Sequence, residues 1–354
     1  MSLPLPLLCF SLFLIISTLI PLIRHDYWIF RIFEYPRLQK LVLNLIVILT
    51  ITGWYMPENR NTWIVLAALF LNLLYLCYQI YPFTIFGSKQ IVGSRNPPGD
   101  NNIRLLIANV YQENRRAADY HRLIQQYNPD LILLVETNLW WQKQMDSIVT
   151  DYPHQLKIPL ENTYGMLLYS RLELENGQVN FLVEDDIPSM EADVRLKSGV
   201  LVRLFCLHPQ PPVPQENPRS TERDKEILMI AKKAKKCDQP VIVIGDLNDV
   251  AWSYTTELFS KISGLLDPRR GRGFFNSFNA KYFFLRFPLD HIFCSADFTL
   301  TSIQRLESCG SDHFPMCADL QFDSQSEARN DAPVADKEDK ELADEKLAKP
   351  IEVF

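Results

Sequence analysis

VIVIGDLND, residues 241–249, is the stretch from which the fold is read. Val241–Ile244 is a run of four β-branched apolar residues, as in a strand buried on both faces, and it runs out through Gly245 into Asp246 and Asn248. Polar residues at such strand ends are where α/β proteins display their sites. An aspartate there can equally cap a helix, so the meaning of Asp246 depends on whether other strands end the same way.

They do. IRLLIAN ends in Asn109, LILLVE in Glu136 and VRLFCLH in His208, while PLDHIF carries Asp290 and GSDHFP carries Asp312 and His313. Singly, each has a structural alternative: a turn former, a first-turn helix charge, a loop histidine before proline. Together, four acids, two amides and two histidines at strand ends are what an oxygen-ligated Mg²⁺ or Mn²⁺ with acid–base partners requires.

Between these points strands and helices alternate. Ile103–Ala108, a helical pattern over Arg115–Tyr127, the breaker Asn128-Pro129-Asp130 and Leu131–Val135 form a strand–helix–strand unit. Further strands are expected at Gly165–Ser170, Val200–Leu207, Lys281–Arg286, Leu289–Cys294 and Phe314–Phe322. So many short strands with few helices predict an α/β fold of four layers, two mixed sheets packed face to face with helices outside.

The first quarter of the chain differs. Leu3–Ile23 has no charged residue and matches the ~20 residues that cross a bilayer as a helix. Leu41–Met56 and Trp63–Phe86 are two more apolar runs, with Trp54, Tyr55, Trp63, Tyr78 and Tyr81 near their ends as interfacial aromatics. Three transmembrane helices are expected within residues 1–92. Arg24, Arg31, Arg37 and Lys40 between the first two spans, against Arg60 between the second and third, place the N-terminus outside and the following domain in the cytoplasm of a cell (inner) membrane. GSRNPPGDNN, residues 93–102, reads as a linker to a catalytic domain over 103–323. Residues 324–354, mixed in charge and poor in large apolar residues, read as a disordered tail, with a fraying charged helix as the alternative.

A net charge of -6 argues against a protein that coats nucleic acid. The seven cysteines include no CxxC pair or zinc spacing and read as reduced thiols. Lys232, Lys233, Lys235 and Lys236 read as the solvated face and end of a helix.

The ordered set Asn109, PDLILLVE, GMLLYSR, LHPQPP, GDLND, LDHIF and SDHFP resembles the endonuclease/exonuclease/phosphatase superfamily, the deoxyribonuclease I-like fold, over roughly residues 102–322. The resemblance implies Glu136 as principal ligand of Mg²⁺ (or Mn²⁺), with Asn109 beside it and Asp312 as a weaker or water-mediated partner. It implies a His313–Asp290 pair that either takes a proton from the attacking water or holds the phosphate, Asp246 as the rival water activator, and Asn248 and His208 as donors to the phosphoryl oxygens. Independently, Arg269, Arg270 and Arg272 in GLLDPRRGRGFFNSF read either as an exposed basic loop or as a phosphate clamp. The expected activity is hydrolysis of P–O bonds, nuclease-like first. A phospholipid, sphingolipid or inositol phosphoesterase is the alternative, with membrane lipid met through the spans, and an inactive tethered binding protein is the reading from another class.

Overall fold

The computed structural model describes residues 3–55, 60–95, 97–148 and 150–351; expectations touching residues 1–2, 56, 96 and 352–354 lie outside these. Helix α1 covers Leu5–Leu19, continued by a tighter turn to Ile23, α3 covers Arg37–Trp54 and α4 covers Arg60–Ile80, with the short α2, Trp28–Arg31, between α1 and α3. Three helices are thus long and apolar enough to cross a membrane. They pack through a narrow seam of Leu14, Val47, Ile51, Leu66 and Leu69, while Phe13, Ile16, Leu49, Ile64 and Leu71 point outwards and stand exposed.

The body consists of two sheets. One is built from β1 (Asn102–Asn109), β2 (Leu131–Val135), β3 (His154–Ile158), β4 (Met166–Ser170), β10 (Phe298–Arg305) and β11 (Met316–Phe322), in the order β10-β11-β1-β2-β4-β3. The other has β5 (Glu173–Asn180), β6 (Ser189–Arg195), β7 (Leu201–Leu207), β8 (Val241–Asp246) and β9 (Asp290–Cys294) in sequence order. Period-two alternation sorts the side chains. Leu105, Ile107, Leu133 and Val135 face Leu204, Cys206, Ile242 and Ile244 between the sheets. Leu106, Ala108, Ile132 and Leu134 face outwards onto α5 (Ala117–Tyr127) and α6 (Leu139–Met145). Phe205, Leu207, Val241 and Val243 face α7 (Thr221–Lys235) and α8 (Tyr254–Ser263). The four-layer arrangement is the one expected.

Strands β3, β5, β6 and β10 were not expected. Lys281–Arg286, expected as a strand, is instead a loop whose Tyr282, Phe283, Phe284 and Leu285 are exposed. Nor is the linker a free tether: Ser94 N donates to Leu300 O at 2.9 Å and Leu300 N to Val92 O at 3.0 Å, extending the edge at β10.

Two further expectations are corrected. The tail is not disordered over its described length: Asp336 and Asp339 form a reciprocal capping box that starts α9 (Lys337–Ala348), and α9 lays Ala343, Leu342 and Leu347 on the core over α7 and α8. The segment between α1 and α3 does not merely connect them. Asp26 and Lys346 are both buried, and Lys346 Nζ reaches Asp26 Oδ1 and Asp224 Oδ2, each at 2.8 Å. Buried Arg31 bonds Thr255 Oγ1 at 3.0 Å and lies 3.4 Å from Asp249 Oδ2, which Arg223 also approaches at 3.3 Å. Trp252 Nε1 donates to Glu34 O, and the Tyr35 hydroxyl to Asn248 O, both at 2.8 Å. Residues 26–35 and α9 are thus part of the catalytic body, joined to it by charges buried in pairs.

Breaking such a pair by removing one partner leaves the other charge buried and costs ~3–5 kcal/mol. Lys346→Ala should therefore lower the unfolding midpoint of the detergent-solubilised full chain clearly, whereas Lys337→Ala, at the exposed end of α9, should leave it unchanged. Burial opposes the ammonium of Lys346, but Asp224 and Asp26 hold its pKa above the ordinary lysine value. Its contribution is therefore complete below the unfolded lysine pKa and fades only above it. The loss on substitution should be the same at pH 6 and pH 9; equal midpoints for the two variants would contradict the burial of this pair.

Candidate active site

The expected site residues converge at one end of the two sheets. Asn109 ends β1, Glu136 follows β2, His208 follows β7 and Asp246 ends β8. Asp290 opens β9 directly opposite Asp246 in the antiparallel ladder, and Asp312 and His313 precede β11. The turns that aim them are strained. Glu136 and Asn248 have φ of 57° and 50°, in the left-handed region that costs a non-glycine residue ~1–3 kcal/mol and recurs at functional sites. Gly245 is obligatory: at φ 146°, a Cβ would lie 1.9 Å from Leu207 O.

Asn109 is the hub on the first sheet. Its Nδ2 donates to Glu136 Oε1 at 2.6 Å and to Asp246 Oδ2 at 3.1 Å, and its Oδ1 accepts Tyr111 N at 3.0 Å. Reaching across to the second sheet, His313 Nδ1 lies 2.8 Å from Asp290 Oδ2, while Nε2 lies 3.5 Å from Asp246 Oδ2. Like charges directly opposite one another in a ladder repel, and an imidazolium between Asp246 and Asp290 offsets this. Burial works against charge on His313, yet the two aspartates hold it up at about 10. His208 is the opposite case. Burial pushes it down to about 4, so it is neutral, and among the described residues its Nδ1 has no hydrogen-bond partner.

Glu136 is pushed up to about 7 by burial, against the hydrogen bond from Asn109 and the pull of His313, with Asp312 and Asp246 adding repulsion. Asp246 is raised by burial too, and Asp290 Oδ1 is buried without a hydrogen-bond partner among the described residues. Carboxylates crowded in this way fit a hard divalent cation, which prefers carboxylate and amide oxygens. Two donor sets are available. Asp246, Asp290 and His313 have ligand atoms within 4.8 Å of one another. The other comprises Glu136, hydrogen-bonded to Asn109, and Asp312, whose charge bears on it.

The arginine loop is not a clamp. Arg269 is buried; its Nε and Nη2 bond Asp267, its Nη1 donates to Asp290 O at 3.2 Å, and Nη2 lies 2.7 Å from His291 Nδ1. His291 Nε2 in turn meets Asp249 O at 2.8 Å. Arg270 lies over the Phe83 ring and near Glu257, and Arg272 donates to Pro268 O and Ile91 O. All three arginines are engaged with the protein itself, and Arg269 supports the backbone beneath Asp290.

Sequence reasoning missed the residues that hold the site: Asp267, His291 and Ser277, whose Oγ accepts Asp290 N at 3.0 Å. It also missed Tyr35 and Arg223, which both donate to Asn248 O, at 2.8 and 2.7 Å. DP in LLDPRR and the third residue of LDHIF were visible as polar residues among apolar ones, but nothing local announced Tyr35.

Comparison with known proteins agrees with this geometry. The sequence profile of the Endonuclease/Exonuclease/phosphatase family matches residues 102–313, more than half of the chain. No curated protein matches the sequence. Solved structures similar in fold include a humanized D. rerio TDP2, 17% identical, covering 63% of this chain and 100% of its own, with a TM-score of 0.53. The Bacteroides thetaiotaomicron mannosyl-6-phosphatase is 18% identical, with 62% and 100% covered and a TM-score of 0.52. The human Nocturnin catalytic domain, with bound sulfate, is 16% identical, with 66% and 97% covered and a TM-score of 0.51. With its profile match spanning every candidate site residue from Asn109 to His313, the chain belongs to the endonuclease/exonuclease/phosphatase family of phosphoester hydrolases.

Proposed function

We propose that this protein is a membrane-anchored phosphoesterase that uses Mg²⁺ or Mn²⁺ to drive attack of water on phosphorus, with its catalytic body on the cytoplasmic face. The observation that carries this reading is the cluster of buried carboxylates joined through Asn109 and His313. Glu136, Asn109 and Asp312 would hold the cation, which would neutralise a phosphoryl oxygen and polarise phosphorus.

The side chains divide the remaining work. His313, kept protonated by Asp290 and Asp246, donates through Nε2 to a phosphoryl oxygen. Asp246, fixed by Asn109 Nδ2 and by Asn248 N at 2.9 Å, accepts the proton of the attacking water as the new P–O bond forms and the ester P–O bond breaks. Neutral His208 and the amide of Asn248 donate to the charge growing on the phosphoryl oxygens. No covalent intermediate is called for.

Nucleic acid is the first substrate class to test. One neighbour in fold, D. rerio TDP2, was solved with a single strand DNA product, and that ligand is carried here only as a suggestion. A lipid phosphoester is the second reading, favoured by the exposed Phe283 and Phe284 beside the site. The membrane reading rests on the outward apolar faces of α1, α3 and α4, and the side on Arg24, Arg31, Arg37 and Lys40 at the ends nearest the catalytic body. A reporter fused to the C-terminus should read cytoplasmic; a periplasmic readout reverses the orientation.

The full chain in detergent should hydrolyse at least one of bis-p-nitrophenyl phosphate, oligonucleotides or phospholipid vesicles with Mg²⁺ or Mn²⁺, and lose this with EDTA. Glu136→Gln and His313→Ala should each lower kcat by roughly 10²–10⁴. Turnover that survives EDTA, or that both variants retain, rules out this mechanism, and a folded, cation-loaded protein inert to the whole panel points to the tethered binding role.

A further inference from the structure

The aromatic loop that is not a strand lies between the active site and α3. Its base is tied to the site: Ala280 N donates to Asp312 O at 2.6 Å, Phe314 N to Ser277 O at 2.7 Å, and the Phe278 ring lies 5.0 Å from that of His313. Its tip is tied to the helix, where Gln39 Nε2 donates to Phe284 O at 2.8 Å. Between tip and helix is a groove of about 690 Å³, lined on one side by Leu38, Val42 and Leu43 and on the other by Phe283, Phe284 and Leu285. Val42, Leu43 and all three loop residues are exposed, Phe283 by 77%. Contiguous aromatic surface of this kind marks an interaction site.

The groove is not uniformly apolar. Arg286 and Arg305 complete its wall, both stacked over the Phe314 ring, at 4.9 and 4.3 Å. Among the described residues neither forms an ion pair with a carboxylate, and Arg286 Nε is buried without a hydrogen-bond partner. Arg305 donates only to the carbonyl of Asn276. Two arginines left without an anion at one end of an apolar groove complement a ligand with an anionic head and a hydrocarbon tail.

We propose that this groove binds one anionic phospholipid of the surrounding leaflet, with an acyl chain between α3 and the loop and the headgroup phosphate on Arg286 and Arg305. The choice of lipid follows from continuity: Leu38, Val42 and Leu43 belong to the first turns of α3, so the groove opens onto the face of a helix read above as a span. The inference rests on the membrane reading of the proposed function. It places a lipid phosphate at the rim of the catalytic centre, held by the residue that precedes Phe287 and by the wall next to His313.

Native mass spectrometry of the detergent-solubilised full chain, titrated with dioleoyl-phosphatidylglycerol or dioleoyl-phosphatidylcholine, tests it without relying on turnover. The wild type should retain phosphatidylglycerol at least tenfold more strongly than phosphatidylcholine. Arg286→Gln combined with Arg305→Gln should abolish the preference, and Phe283→Ser combined with Phe284→Ser should weaken retention of both lipids. The loop aromatics are exposed, so the second variant should keep the wild-type unfolding midpoint. Equal retention of the two lipids, or wild-type retention by either variant with an unchanged midpoint, overturns the proposal. Competition by glycerol 3-phosphate as effective as by the lipid also overturns it, since the apolar half of the site would then contribute nothing. A protein that binds phosphatidylglycerol as described but hydrolyses no phosphoester leaves this site standing and removes the catalytic reading.

Discussion

Negative charge gathered in a place with little water is the constraint from which the active site follows. Glu136, Asp246, Asp290 and Asp312 approach one another because four different strands end at the same edge of the sandwich. Burial raises Glu136 and Asp246, and compensating hydrogens reach the cluster from His313, the amide of Asn109 and the backbone N–H of Asn248. Such an arrangement is costly for a resting protein and useful for one that must receive a cation and a phosphate together. Strain at Glu136 and Asn248 and the forced glycine at 245 point the same way, because each sets the direction of a side chain rather than stability.

A second set of buried charges solves a different problem. Arg31, Arg223 and Lys346 face Asp26, Asp224 and Asp249, and this network joins three stretches far apart in sequence: the connection between the first two apolar helices, the core helix α7 and the C-terminal helix α9. It adjoins the catalytic turn directly, since Asp249 follows Asn248 and the Asn248 carbonyl accepts from both Tyr35 and Arg223. The helical bundle is thus more than a tether. Its loop holds the backbone that presents Asn248, and the orientation of the site relative to α1, α3 and α4 is set by the same contacts.

The site was legible in the sequence because its chemistry is local. Each candidate acid or histidine borders an apolar run, closing it at Glu136, His208 and Asp246 and leading into it at Asp290, Asp312 and His313, and such a border is recognisable from a few neighbours. Strands β5 and β6 were missed for the converse reason: ELENGQVN and SMEADVR interleave charged residues and leave no continuous apolar run. Lys281–Arg286 was read as a strand because aromatic content is common to buried strands and to exposed interfacial loops, and only the contacts separate them. Arg269 looked free among glycines although its carboxylate partner, Asp267, stood two residues before it; the other partners that bury it, Asp290 and His291, lie about twenty residues downstream. The tail looked disordered because only a few of its side chains, Ala343 and Lys346 among them, are buried, and the partner of Lys346 at Asp26 lies at the other end of the chain.

Binding of a divalent cation by the carboxylate cluster through Glu136 is the step on which the proposed chemistry depends. Titrating the full chain with Mn²⁺ and following the electron paramagnetic resonance signal of free Mn²⁺ measures this directly. One site per chain should be found, weakened ~tenfold or more in Glu136→Gln with the unfolding midpoint of the cation-free protein preserved. Wild-type affinity in that variant, or no binding to the wild type up to millimolar Mn²⁺, would contradict it.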